Sequence, residues 1–219
     1  ATGTEPQEVA VDPTGRFVYV ANTNSTTVQA YTSNQSTGAL TSVGTAATGA
    51  SPRSVAVDPT GRFAYVTNLM SSTIQSYTIN QTTGILTLVG TDATGTGPSG
   101  LAVDPTGRFV FASTESSSTV ESFIINQSTG DLTLASSISG GTVMGIVAVD
   151  PTGRFVMAAR SYSNNFNLFS INQTTGSLTA LSTISAGSDP LGLAFDPTGR
   201  FAYVSSFSTN SVHSFVMNN

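Results

Sequence analysis

Apolar residues in this chain come in short runs, never in the stripe at every third and fourth position that an amphipathic helix requires. Val9-Ala10-Val11 is one such run, and Phe17-Val18-Tyr19-Val20 follows with no polar face at all. Val28-Gln29-Ala30-Tyr31 alternates, and a fourth stretch lies around Leu40-Thr41-Ser42-Val43. Asp12-Pro13-Thr14-Gly15 separates the first two runs with turn chemistry: Asp opens, Pro presets φ, and Gly closes. Asn34-Gln35-Ser36-Thr37-Gly38 does the same before the fourth. The pattern predicts four strands, A to D, of which B must be covered on both faces.

This quartet recurs. The hexamer DPTGRF starts at Asp12, Asp58, Asp104, Asp150 and Asp196, always 46 residues apart. A period of that size with several short strands per unit predicts a β-propeller. The expected fold is therefore all-β, with five blades of a four-stranded repeat in one domain over residues 1–219. The units run over about 1–45, 46–91, 92–137, 138–183 and 184–219. Asn219 aligns with Gln35, eleven residues short of a full fifth unit, so the last blade is expected to lack its outer strand D. Either the five blades close into a ring with one thin blade, which is the preferred expectation, or the array stays open and associates through the incomplete fifth blade.

Charge narrows the partners. All seven basic residues are arginine, and with twelve acidic ones the net charge is −5. Nucleic acid is not expected, because phosphate binding draws on clustered Lys and Arg. Charged residues make up only 9% of the chain, so Ser, Thr and Asn do the solubilising. There is no cysteine, which removes disulfides and thiolate zinc sites, and no apolar run is long enough for a membrane-spanning helix. No basic-then-apolar leader opens the sequence, as in a mature, processed chain, and the lysine-free surface suits an extracytoplasmic protein (secreted, periplasmic or cell-surface). Asn24, Asn34, Asn80, Asn126 and Asn172 each begin an Asn-x-Ser/Thr sequon, read here chiefly as turn chemistry.

The stretches GRFVYVANTNSTTVQAYTSNQSTGALTSV from Gly15 and GRFAYVTNLMSSTIQSYTINQTTGILTLV from Gly61 resemble the lactonase-type, 6-phosphogluconolactonase-like propellers and the related YVTN-repeat proteins. Tyr65-Val66-Thr67-Asn68 is the tetrapeptide behind the latter name. The resemblance covers essentially the whole chain. It implies strand A along a central channel and usually seven blades, from which five is a departure. It also implies that the D–A and B–C loops share one face, the top. Lactonase activity in such proteins is tied to charged groups and histidine around the channel, whereas YVTN-type members are mostly extracytoplasmic binding or surface proteins.

Residues that recur in every unit are scaffold, so chemistry is expected where the units differ. The repeated Asp/Arg pairs, from Asp12 with Arg16 to Asp196 with Arg200, read as a turn-opening carboxylate with a guanidinium stabilising the hairpin. The only histidine, His213, occupies the slot held by Gln29, Gln75, Glu121 and Asn167, the polar position of strand C. Without a histidine base, a Ser-His-Asp arrangement is not expected, and neither a metal site nor a cofactor is. A Ca²⁺ site from Glu5, Glu8 and Asp189 would be the exception, although no D-x-D-x-D loop is present.

The irregular charges left are Glu5, Glu8, Arg53, Glu115, Arg160 and Asp189, all expected around the top-face channel mouth. Arg53 and Arg160 would anchor a carboxylate or phosphate, with Tyr162, Phe166 and Phe207 beside them. The leading expectation is a non-enzymatic scaffold or binding module that takes a small anionic ligand or a protein on this face. The alternative is a lactonase-like hydrolase of a sugar lactone, with an arginine holding the substrate anion and a Glu or Asp activating water. A third is an engineered or excised five-repeat propeller.

Overall fold

The computed structural model describes residues 1–140, 145–159 and 164–217. It contains five consecutive antiparallel sheets. The first is β1 (Pro6–Val11), β2 (Phe17–Asn22), β3 (Thr27–Ser33) and β4 (Leu40–Ala47). The second is β5 (Pro52–Val57), β6 (Phe63–Asn68), β7 (Thr73–Ile79) and β8 (Leu86–Ala93). The third is β9 (Pro98–Val103), β10 (Phe109–Thr114), β11 (Thr119–Ile125) and β12 (Leu132–Ser139). The fourth is β13 (Val147–Val149), β14 (Phe155–Ala159), β15 (Asn165–Ile171) and β16 (Leu178–Ser185). The fifth has three strands, β17 (Pro190–Phe195), β18 (Phe201–Ser206) and β19 (Ser211–Val216). These are the propeller blades that the 46-residue period predicts, including the thinner last one.

The chain divides into two compact units, Ala1–Pro98 with Ile125–Thr133, and Ser99–Ile124 with Leu134–Asn219. In the first unit, Tyr19, Val28 and Ala30 of one sheet pack with Val55, Ala64, Val66 and Leu86 of the next. In the second, Phe109, Phe111 and Val120 pack with Val147, Val156, Phe169 and Leu178, and Met157 and Phe166 pack with Ala202 and Val204. The second strand is buried on both faces in the first four blades, as its apolar run requires, and β6 and β10 are buried along their whole length; β18 of the fifth blade buries one face only.

The DPTGRF motif is both a turn and a latch between blades. Asp12 Oδ1 accepts the Phe17 N–H at 2.6 Å, and Oδ2 accepts the Thr14 N–H at 3.1 Å and the Thr14 hydroxyl. The expected carboxylate role is thus present, but the guanidinium does something different. Arg16 donates to Thr14 Oγ1, lies 4.9 Å from the centroid of its own Phe17 ring, and reaches the Gln81 carbonyl of the next sheet at 3.1 Å. Arg62 reaches Gln127 and Arg108 reaches Gln173 in the same way. Only Arg154 approaches its aspartate among the described residues, at 3.7 Å from Asp150. Once two backbone N–H groups and a hydroxyl have taken the carboxylate, the longer arginine is free to bridge to the neighbouring turn.

The Asn-Gln turns fit this latch. Asn34 Oδ1 accepts the Ser36 and Thr37 N–H groups at 2.9 and 3.0 Å, the Asx-turn chemistry expected of it. Gln35 Nε2 donates back to the Gly15 carbonyl at 2.8 Å, and Gln81 does the same to Gly61.

One face at each end of the repeat is exposed. In the first unit, Val9 is 60% exposed although its counterpart Val55 is 3% exposed, and Val11 and Leu40 are exposed with it. In the second unit, Val212 is 70% exposed although its counterpart Val28 is 0% exposed, and Tyr203 and Val216 are exposed beside it.

Candidate functional site

Strand β1 pairs with β2 as Pro6↔Asn22 and then Glu8↔Ala21, so Gln7 is an extra, bulged residue. Strand β5 repeats this with Pro52↔Asn68 and Ser54↔Thr67, which makes Arg53 the bulged residue. A bulge bends its strand and re-aims side chains, which is why bulges gather next to active sites. Here the two bulges meet: Arg53 Nη1 donates to Gln7 Oε1 at 3.2 Å, and the Ser54 hydroxyl donates to Glu8 Oε2. Residues one period apart in sequence thus become neighbours. Glu8, Arg53, Gln7 and Ser54 form a polar cluster in the first unit.

The carboxyl end of Glu8 is desolvated although the residue as a whole is exposed. Burial pushes its pKa above the usual glutamate value; hydrogen bonds from Ser54 and the Val55 backbone, and the charge of Arg53, pull it partly back. A carboxylate so raised is a stronger base than an ordinary surface glutamate. The adjacent guanidinium presents a planar fork of donors suited to a carboxylate or phosphate.

The other expected site residues behave differently. Glu5 has a left-handed backbone (φ 53°), and its carbonyl accepts the Thr23 N–H at 3.0 Å. Asp189 occupies the same slot in the second unit at φ 55°; its carbonyl accepts the Phe207 N–H, and its carboxylate accepts the Ser208 hydroxyl. That slot anchors the B–C loop through its carbonyl, and Ser51 does the same at φ 55°, so the backbone role does not depend on an acidic side chain. Glu115, in the loop between β10 and β11, is half-buried, and its carbonyl accepts the Ser118 hydroxyl. Arg160 and Tyr162 lie outside the described residues.

Phe166 does not line a site: it is 1% exposed and packs edge-on against Phe215, ring centroids 5.1 Å apart. Phe207 is exposed beside a pocket of about 370 Å³ lined by Leu191, Ser205 and Val212, with no charged group. His213 contacts Ser211 Oγ at 3.0 Å and keeps to the polar slot of its strand. The same slot in other blades reaches the outer strand, as Gln29 does to Gly44 and Gln75 to Thr91. No group of three His, Cys, Asp or Glu suited to a metal occurs among the described residues.

Two features of the cluster escaped sequence reasoning, the partner roles of Gln7 and Ser54. Their slots were already irregular between units, which was the available signal.

The chain matches a family model described as lactonase, 7-bladed β-propeller, over residues 1–57, 49–148 and 134–219. No curated protein matches it. A protein from Lactobacillus plantarum superposes with a TM-score of 0.88 at 24% identity, covering 100% of this chain and 69% of its own. A candidate 6-phosphogluconolactonase of Bacteroides fragilis gives 0.82 at 20% identity, covering 93% of this chain and 64% of its own. The periplasmic gluconolactonase of Pseudomonas aeruginosa gives 0.74 at 22% identity, covering 84% and 55%. The chain therefore spans between about half and 70% of these structures, whose likeness establishes the fold. The family match corrects the expectation of a non-enzymatic scaffold or binding module. That expectation leaned on the missing histidine base, whereas opening a lactone with water needs only a carboxylate of raised basicity and a cation.

Proposed function

The chain belongs to the lactonase family of β-propellers, and from that premise we propose that it is a lactonase-like hydrolase of a sugar lactone, acting at the Glu8–Arg53 cluster. The family match over the length of the chain carries the reading. The choice of Glu8 and Arg53 is supported by the two neighbouring bulges, where Arg53 bonds to Gln7 and Ser54 to Glu8. Arg53 holds the anionic group of the substrate or the carbonyl oxygen as it becomes an oxyanion, and Gln7 steadies the guanidinium. Glu8, held by Ser54, takes a proton from water as the water oxygen bonds to the carbonyl carbon. The ring C–O bond then breaks, the alkoxide takes up the proton, and a hydroxy acid leaves. The lysine-free, Ser/Thr/Asn-rich surface suits an extracytoplasmic setting for this reaction.

Assays on sugar lactones with and without a phosphate test the reading. Turnover is expected, and Arg53→Ala is expected to raise KM for an anionic lactone about 10–100-fold while changing kcat less, the signature of a lost charge-assisted contact. No turnover on any lactone would overturn the proposal.

The proposed macromolecular partner is a second copy of the chain. Inside the first unit, Val55 of one sheet covers Tyr19 and Val28 of the sheet before it. The exposed Val9 of one copy and the exposed Tyr203 and Val212 of another are the same residue types at the same repeat positions. Light scattering is expected to show mass rising with concentration above 22.4 kDa, and the double substitution Val212→Asp and Val216→Asp to suppress the rise. A constant mass of one chain at every concentration would reject self-association.

A further inference from the structure

Three buried oxygens of the second sheet, Tyr65 Oη, Ser76 Oγ and Asp92 Oδ2, have no hydrogen-bond partner. Tyr65 pairs with Ser76 and Ser76 with Gly90, so all three residues of this row point to one face. Asp92, two residues along from Gly90, points to the same face. Tyr65 and Ser76 are each 0% exposed.

Asp131, at the turn before β12, reaches over this face. A Cβ built on Gly90 would collide with Asp131 Oδ1 and would stand 3.3 Å from Ser76 Oγ, so both oxygens flank one point. Gly90, with no side chain of its own, leaves them that space. Burial and the neighbouring Asp131 charge both push the Asp92 carboxyl above its ordinary value. Asp131 acts in the same direction on the Tyr65 hydroxyl, after the larger effects of burial and Asp58.

The repeat supplies an internal control. Where the first sheet meets the second, the corresponding residues are Ala30, Ala46 and Ile85, all apolar. There Tyr19, the counterpart of Tyr65, donates to the Gly84 carbonyl at 3.0 Å. Asp92 also stands where later blades carry Ile138 and Ile184. Nothing in the scaffold calls for two carboxylates here, and together they repel. Unpartnered hard oxygens gathered around two like charges are what an oxygen-coordinated cation offsets.

We propose that Asp92, Asp131 and Ser76 form a binding site for a hard divalent cation of the calcium type, with the Tyr65 hydroxyl beside it. Two carboxylates and a hydroxyl leave the remaining positions to water, so the expected Kd is weak, about 10⁻⁴–10⁻³ M. The site is separate from Glu8 and Arg53, and its test does not depend on hydrolysis.

The melting temperature should be followed while CaCl₂ is titrated to 10 mM, against NaCl of equal ionic strength. A rise of about 3–6 °C is expected at ten times Kd, by mass action on a domain of this size. Asp92→Ile, which installs the residue of the later blades, is expected to abolish the rise, and Ser76→Ala to reduce it. Terbium luminescence sensitised by Tyr65 reads occupancy without reference to stability, and Asp92→Ile should remove that as well. An equal calcium response in wild type and Asp92→Ile would overturn the assignment. So would no response in wild type, or terbium emission indifferent to both substitutions.

Discussion

Glu8→Gln is expected to lower kcat for sugar-lactone hydrolysis by about 10²–10⁴-fold, with KM nearly unchanged. Glutamine keeps the volume and still accepts the Ser54 hydroxyl through its carbonyl oxygen, so the cluster persists while the base is lost. A pH profile separates this from a structural effect. In wild type, kcat/KM should rise with pH as Glu8 ionises, with an inflection above the usual glutamate value because burial opposes its charge. In Glu8→Gln that acidic limb should disappear. The stability consequence has the opposite sign. A carboxyl raised in the folded state contributes stability that is present below its unfolded pKa and lost as pH rises through the folded value. Glu8→Gln should therefore not lower the melting temperature near neutral pH. Retained turnover with an unchanged acidic limb would remove Glu8 from the mechanism and leave the family-level reading standing.

Phe63→Ala is expected to destabilise the fold by about 3–5 kcal/mol, the range for deleting a buried aromatic ring. For a chain of this size, that lowers the melting temperature by roughly 10 °C, readable by circular dichroism. Phe63 is 4% exposed and is the apolar half of the blade latch. Its ring fills the space where a Cβ on Gly130 would go, and Gly130 holds a left-handed φ of 81° in the neighbouring turn. Two costs thus bar a side chain at Gly130, and the ring that exploits the gap has no substitute. Arg62, the polar half, lies over the Phe63 ring and reaches the Gln127 carbonyl, but it is exposed. An exposed cation–π contact with one hydrogen bond is worth about 1 kcal/mol, so Arg62→Ala should shift the melt several-fold less. Equal effects of the two substitutions would show that the latch is held by its charge and not by its ring.

Sequence alone determined the parts of this protein that local chemistry decides. The alternation of strand C and the unbroken apolar run of strand B dictate which faces are buried, and Asp-Pro-Thr-Gly can hardly be anything but a turn. Repetition at a constant 46 residues then carries those local choices to a propeller with a thin last blade. Subtracting the repeat also isolated Glu8 and Arg53 as irregular charges, and both lie in one polar cluster of the first unit. The same subtraction along strand D would have singled out Asp92 against Ala46, Ile138 and Ile184.

Which residues meet was a matter for tertiary structure. The bulges at Gln7 and Arg53 come from strand register, which composition does not encode, and they put Arg53 on Gln7 and Ser54 on Glu8. Register and blade packing likewise gather Ser76, Asp92 and Asp131 on one face, and send Arg16, Arg62 and Arg108 to the neighbouring blade instead of to their own aspartates. The physical reason is the range of the interactions. Turns and strand faces are set within a few residues by dihedral preference and burial, whereas hydrogen bonds and charge pairs between blades depend on ångström-scale placement of residues tens of positions apart.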